Sequence, residues 1–394
     1  MKKIIVASVI AICGCSKGSS GEPEKTPAIS ISDVATREGN TGKNAFDFEV
    51  RLSNSFSKPV TVSYSTADEF AKGGEDFVAV SGGTVTIPAG QTTGKISIEV
   101  NGDDVREGNE TFSVRLSGPV NATISRGIAS GRIGNDDTRI AFSNEGFDAP
   151  ATYPGYSLLW SDEFNGTSLD QAAWTAETGD GCPNLCSWGN NELQYYSGSP
   201  NTIFFQDGKM IIEAANEAFG GRNYTSARIK TQGKKAFKYG RIDIRAKLPQ
   251  GKGIWPAFWL MPENSVFGAW PRSGEIDMME LLGHEPNKVY GTVHFGPGPG
   301  STQISRSTVN AAGALSNAFH VYSLEWKEDQ IQWLIDGNVF STISKADLGT
   351  NNYPFNEAFH LIVNLAVGGN WPGNPDASTY FPAWLIVDYV RVYQ

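Results

Sequence analysis

Basic residues are in short supply: 32 Lys and Arg stand against 42 Asp and Glu, a net charge of −10. That balance argues against nucleic acid or an anionic membrane face as partner. Long apolar runs are missing. The run at Ile4–Ile12 stops far short of the ~20 residues a membrane-spanning helix needs. Cysteine is scarce, with four in 394 residues at positions 13, 15, 182 and 186. Tryptophan is absent from residues 25–137; all ten Trp and all four His lie beyond residue 138. The chain is too long for one small core, and this split in composition predicts two domains.

The first residues read as a targeting segment. Lys2-Lys3 is a positive start, and Ile4–Ile12 a short apolar stretch. Ile12-Cys13-Gly14-Cys15 resembles the lipobox of bacterial lipoproteins, although Cys13 departs from the usual Ser or Ala. The resemblance implies a signal peptide over 1–14, lipid on Cys15, and a Ser/Gly-rich tether over 15–27. An ordinary secretory signal with a chance cysteine is the competing reading. The lipoprotein reading expects an exported protein at the outer membrane or cell surface. It would touch the membrane only through its N-terminal lipid, and no Asp follows Cys15 to retain it at the inner membrane. Without residues 1–14 the balance is 30 basic against 42 acidic, or −12.

Residues 28–137 carry short runs with period-two alternation, such as Phe46, Phe48, Val50 and Leu52, or Ile96, Ile98 and Val100. Gly82-Gly83, Pro88-Ala89-Gly90 and Asn101-Gly102 punctuate them. About seven short strands with turn signals predict a β-sandwich. Arg37-Glu38-Gly39, Gly73 to Phe77, Asn101 to Asp104, Glu107 to Glu110 and Gly134 to Asp137 make this stretch similar to a Calx-β domain. That family includes calcium-binding members, and Ca2+ takes ~6–8 oxygen ligands. Glu38, Asp76, Asp103, Asp104, Asp136 and Asp137 are the candidate ligands; otherwise they decorate loops. Few aromatics (Tyr64, Phe56, Phe70) are on offer for sugar binding, so a spacer is expected. Residues 138–154 read as a linker.

Residues 274–280, Gly-Glu-Ile-Asp-Met-Met-Glu, set Glu275, Asp277 and Glu280 in an apolar run that reads as a buried strand. On a regular strand Glu275 and Asp277 share a face and Glu280 points away. One bulge at Met278-Met279 returns Glu280 to that face. Paired carboxylates flanking a bond are the equipment of glycoside hydrolysis. Trp255, Trp259 and His294 lie in neighbouring apolar runs, and indole faces beside carboxylates suit pyranose rings. A solvated face or a calcium site is the bland alternative.

Residues 155–394 resemble glycoside hydrolase family 16 in its laminarinase-like branch. The resemblance rests on Trp160 to Phe164, Trp188 to Tyr196, Tyr224 to Arg228, Gly274 to Glu280 and Asp388 to Gln394. It implies an all-β chain: an immunoglobulin-like sandwich followed by a concanavalin-like jelly roll, with the cleft on a concave sheet. It implies Glu275 as nucleophile, Asp277 as its helper and Glu280 as general acid/base of a retaining endo-1,3-β-glucanase with a covalent glycosyl-enzyme intermediate. Asn190 and Arg228 match polar positions holding the glycone side. Trp255 and Trp259 match the platform beside the reacting sugar, His294 the leaving-group side, and Trp371 a glycone-side aromatic. A structural calcium would match Glu163, Gly208 and Asp388; catalysis needs no cofactor. The expected partner is a β-glucan, and the expected state a monomer.

Cys182 and Cys186 read as an intraloop disulfide or, less simply, half of a metal site with no His or Cys nearby. Two rival functions stay open: cleavage of a galactan such as agarose on the same scaffold, or a non-catalytic surface glucan-binding lipoprotein.

Overall fold

The computed structural model describes residues 24–298 and 302–394. The expected signal segment, Cys15 and most of the expected 15–27 tether lie outside the described residues. The chain is all-β and divides into two units. One ends in Asp104 and takes up Asn109–Thr138; the other holds Val105–Gly108 and Arg139–Gln394.

The first unit is a two-sheet sandwich. Its alternating runs bury Phe46, Phe48, Val50, Ile96, Ile98 and Val100, together with Phe112 and Val114. Among the described residues nine strands form it, more than the alternation predicts. The extra ones, Val34–Arg37 and Thr123–Arg126, are four-residue strands at sheet edges that bury almost nothing. A strand with no buried face leaves no period-two pattern to read.

The second unit stacks a seven-stranded front sheet on an eight-stranded back sheet. The front sheet runs Thr175–Ala176, Arg228–Lys230, Phe359–Val367, Ile254–Pro262, Glu275–Leu281, Lys288–His294, Gln303–Val309 in space. Between the sheets lies one apolar core. Phe258, Leu260, Ile276, Met279, Val289, Val293, Leu361, Val363 and Leu365 enter it from the front, and Ile242, Ile244, Leu324, Trp326, Trp333 and Val390 from the back. Each strand's alternate residues therefore point away from the core, and on the front sheet those include its polar residues and the indoles of Trp255 and Trp259.

Part of the expected linker belongs to this unit. Ile140 and Phe142 pack with Ile211, Phe319 and Ile386 in a second, smaller cluster. Arg245 donates to the carbonyl oxygens of Asn144 and Phe147, and Tyr389 accepts from the backbone N–H of Ala149. The segment lacks periodicity because its backbone is held by side chains of the back sheet rather than by a strand ladder.

Candidate active site

The bulge at Met278-Met279 is present. Asp277 faces Thr292 and Glu280 faces Tyr290 on the next strand, with the register shifting between them. Both methionines are buried in the core. Two successive side chains point inward, so Glu275, Asp277 and Glu280 emerge together on the outer face. The backbone carbonyl of Asp277 accepts the Trp333 indole N–H at 2.8 Å, which braces the strand from the core side. Gly274, with φ +87°, opens the strand where a Cβ would meet Pro354 and Phe355 at 2.9 Å.

The three acids differ in their partners. Glu275 accepts the Trp270 indole N–H at 2.5 Å and lies 4.0 Å from His294 Nε2. Asp277 is buried and lies 3.1 Å from the same nitrogen. Glu280 accepts one indole N–H, from Trp255, at 3.2 Å. Burial first, then the charge of Asp277, pushes the Glu275 carboxyl up to about 8. Burial and the charges of Asp277 and Glu275 raise Glu280 well above the ordinary carboxyl range. Burial alone would strip His294 of its proton, but its hydrogen bond to Asp277 and the surrounding carboxylates outweigh that and raise it to about 9. The cluster thus holds an imidazolium beside crowded acids. Glu275, nearer the imidazolium and a second donor, is the better placed to ionise; Glu280 is the better placed to keep a proton.

The remaining expected contacts surround these acids. The Arg228 guanidinium lies between the indoles of Trp188 and Trp259, 4.4 and 4.8 Å from their ring centres, and pairs with Glu177 at 2.5 Å. Trp259 donates to Asn364 at 2.7 Å. Trp371, 41% exposed, stands perpendicular to Trp255 with centroids 5.6 Å apart. Asn190 is exposed and its carbonyl accepts the Asn370 N–H at 2.8 Å, which joins its loop to that of Trp371. A disulfide joins Cys182 and Cys186 just ahead of Trp188. Arg222 pins this loop by donating to Asp180, Ser187 and the Glu192 carbonyl.

The sequence reading passed over Trp270, Tyr290 and Glu192. Trp270 is 44% exposed and touches Glu275. Its signal was an indole in a Gly/Pro-rich loop five residues before a candidate nucleophile, where core packing is a poor explanation. Tyr290 packs on Trp371 with centroids 4.9 Å apart.

The expected calcium trio of the second unit is not a free carboxylate set. Asp388 is held by Lys209 and Arg245, and Glu163 accepts a two-pronged pairing from Arg391. Gly208 could offer only its backbone carbonyl. A divalent ion would have to compete with three cations for the two carboxylates, so a site here would rest on backbone oxygens. Glu275, Asp277 and His294 also lie close enough to hold a metal, which would have to displace the proton of the imidazole. In the first unit Glu38, Asp136 and Asp137 converge, and Asp137 Oδ2 is buried without a hydrogen-bond partner. Those three fit a hard cation. Asp76, Asp103 and Asp104 stand outside that group.

Comparison with known proteins agrees with this geometry. Residues 28–137 match the Calx-beta domain and residues 186–382 match Glycosyl hydrolases family 16. The chain is 40% identical over 324 residues to glucan endo-1,3-beta-glucosidase A1 of Niallia circulans, covering 72% of this chain and 46% of that protein. It is 40% identical over 268 residues to a beta-glucanase of Rhodothermus marinus, covering 65% of this chain and 91% of that one. The chain therefore spans under half of the first relative and most of the second. The crystal structure of the laminarinase catalytic domain from Thermotoga maritima superposes with a TM-score of 0.57 at 43% identity, covering 61% of this chain and 98% of that one. With the bulged acidic strand, the flanking indoles and these matches in hand, the chain belongs to glycosyl hydrolase family 16 and carries a Calx-beta domain before its catalytic domain.

Proposed function

We propose that the protein is a retaining endo-β-glucanase that hydrolyses 1,3-β-glucosidic bonds of laminarin-type glucans. One observation carries the reading: Glu275, Asp277 and Glu280 share a face through the bulge, with an indole donor on each of the two glutamates. Two similar proteins, a glucan endo-1,3-beta-glucosidase and a laminarinase, supply the substrate class.

In the first step a Glu275 oxygen forms a bond to the anomeric carbon. The bond from that carbon to the bridging oxygen breaks, and Glu280 gives its proton to the departing oxygen. In the second step Glu280 takes a proton from water, the water oxygen bonds to the anomeric carbon, and Glu275 leaves as carboxylate. The unequal environments suit this division. Glu275 has the Trp270 N–H and the His294 charge to stabilise its anion. Among the described residues Glu280 has one donor, the Trp255 N–H, and sits in the field of two acids that His294 only partly offsets. Asp277, tied to His294, keeps the imidazolium in place between cycles.

Reducing-end release on laminarin, lichenan and agarose tests the reading. Strong activity on laminarin, weaker on lichenan and none on agarose is expected. Activity on agarose alone would overturn the substrate while keeping the acids. A related keratan-sulfate endo-1,4-beta-galactosidase, 34% identical over 253 residues, makes that arm worth running. Inactivity on all three would favour a binding protein. Glu275→Ser should abolish hydrolysis yet retain oligosaccharide binding; unchanged turnover would refute the nucleophile.

A further inference from the structure

Beside the disulfide loop lies a carboxylate that the reaction does not use. Glu192 is 6% exposed and makes no ion pair among the described residues. A buried carboxylate without a cation is costly unless donors satisfy it. Here three neutral donors do. Gln194 Nε2 donates to Oε2 at 2.7 Å, the Tyr196 hydroxyl to the same oxygen at 3.3 Å, and Asn190 Nδ2 to Oε1 at 3.2 Å.

The network continues in both directions. Asn364 Nδ2 donates to the Tyr196 hydroxyl at 3.1 Å, and Asn364 Oδ1 accepts the Trp259 indole N–H at 2.7 Å. Gln194 Oε1 accepts the backbone N–H of Val367 at 2.8 Å. One carboxylate thus ties an exposed loop amide, Asn190, to an indole on the sheet face, Trp259, and anchors both to the Phe359–Val367 strand. An acceptor-only group is what this junction needs, because Asn190 and Gln194 both present N–H groups to it.

We propose that Glu192 is the positioning residue of the sugar-binding surface, setting Asn190 and Trp259 in register with each other. The inference rests on the glucanase reading for the identity of that surface. Glu192 touches neither Glu275 nor Glu280, so its loss should weaken substrate binding and spare the chemistry.

Glu192→Gln places an amide N–H against a donor. Removing one such bond to a charged group predicts a KM raised about tenfold with kcat within about threefold. General destabilisation would lower the active fraction, and with it kcat, but not KM. The exchange Glu192→Gln with Gln194→Glu restores one carboxylate and one amide with their roles reversed, and Glu at 194 can still accept from Val367. It should return KM to within about threefold of the parent. Tyr196→Phe, which keeps the buried ring, should raise KM about threefold and serves if the first variant does not fold.

A parental KM in Glu192→Gln or Tyr196→Phe would overturn the proposal. So would an exchange variant that folds with a parental melting temperature yet binds no better than Glu192→Gln. If the parent cleaves lichenan or agarose but not laminarin, the substrate reading falls instead, and the same comparison is made on the glycan it cleaves.

Discussion

Replacing His294 by glutamine removes a positive charge 4.0 Å from Glu275 while keeping a polar side chain opposite Asp277. Two unit charges at about 4 Å interact by about 4 kcal/mol at an effective dielectric near 20. His294 is 21% exposed in its side chain, so water screens part of this, and halving it leaves about 2 kcal/mol, or about 1.5 pH units. The sign is fixed. Loss of a neighbouring cation makes Glu275 harder to ionise, so the acid limb of the kcat/KM profile moves to higher pH. The groups facing His294 are Asp277 and Glu275 across the ladder, Glu280 further along, Trp270 at 5.9 Å, and uncharged Gln303 on the next strand. None supplies a replacement charge. The alkaline limb, set by the Glu280 proton, should move less because Glu280 feels His294 more weakly than the two nearer acids do. The assay is kcat/KM on laminarin from acid to alkaline pH. An acid limb that stays in place while the rate falls would show that His294 acts by packing alone. A limb that moves downward would refute the electrostatic argument outright.

Glu280→Gln should abolish hydrolysis and raise the melting temperature at alkaline pH. Its folded-state affinity for a proton is raised, so the carboxyl contributes stability at low pH and loses it as pH climbs through the unfolded and then the folded value. Parallel melting curves for the two proteins across pH would contradict this. Gly274→Ala should cost about 1–3 kcal/mol in urea unfolding, because φ is +87° and Pro354 and Phe355 leave no space; an unchanged midpoint would count against the strained start of the catalytic strand. Calcium should raise the melting temperature of the Calx-beta domain and chelation should reverse it. Asp137→Asn should remove the response, leaving laminarin turnover unaltered; a response surviving in Asp137→Asn would place the ion elsewhere.

How much of this was legible depends on the range of each interaction. The shared face of Glu275, Asp277 and Glu280 was legible because three carboxylates in an apolar run conflict with burial, and one extra residue between them turns Glu280 back to the face of the other two. The core of the first unit was legible from alternation, while the jelly roll was implied by the resemblance of its motifs. The cations on Asp388 and Glu163 were not legible, because Arg245 and Arg391 reach them only across strand pairings that alternation does not number. Trp270 and Trp371 sit on loops whose shape follows Gly and Pro geometry, so which acid each indole would approach had no periodic signal. Glu192 is the instructive miss. Glu192, Gln194 and Tyr196 recur at every second residue, the spacing that brings side chains to one side of an extended chain, and the turn at Asn191 brings Asn190 back to them. Three polar groups on one side of a segment with Leu193 and Tyr195 between them amount to a hydrogen-bonding row. A row of donors needs one acceptor that gives nothing back, and the single buried carboxylate in that row is the residue that meets the need.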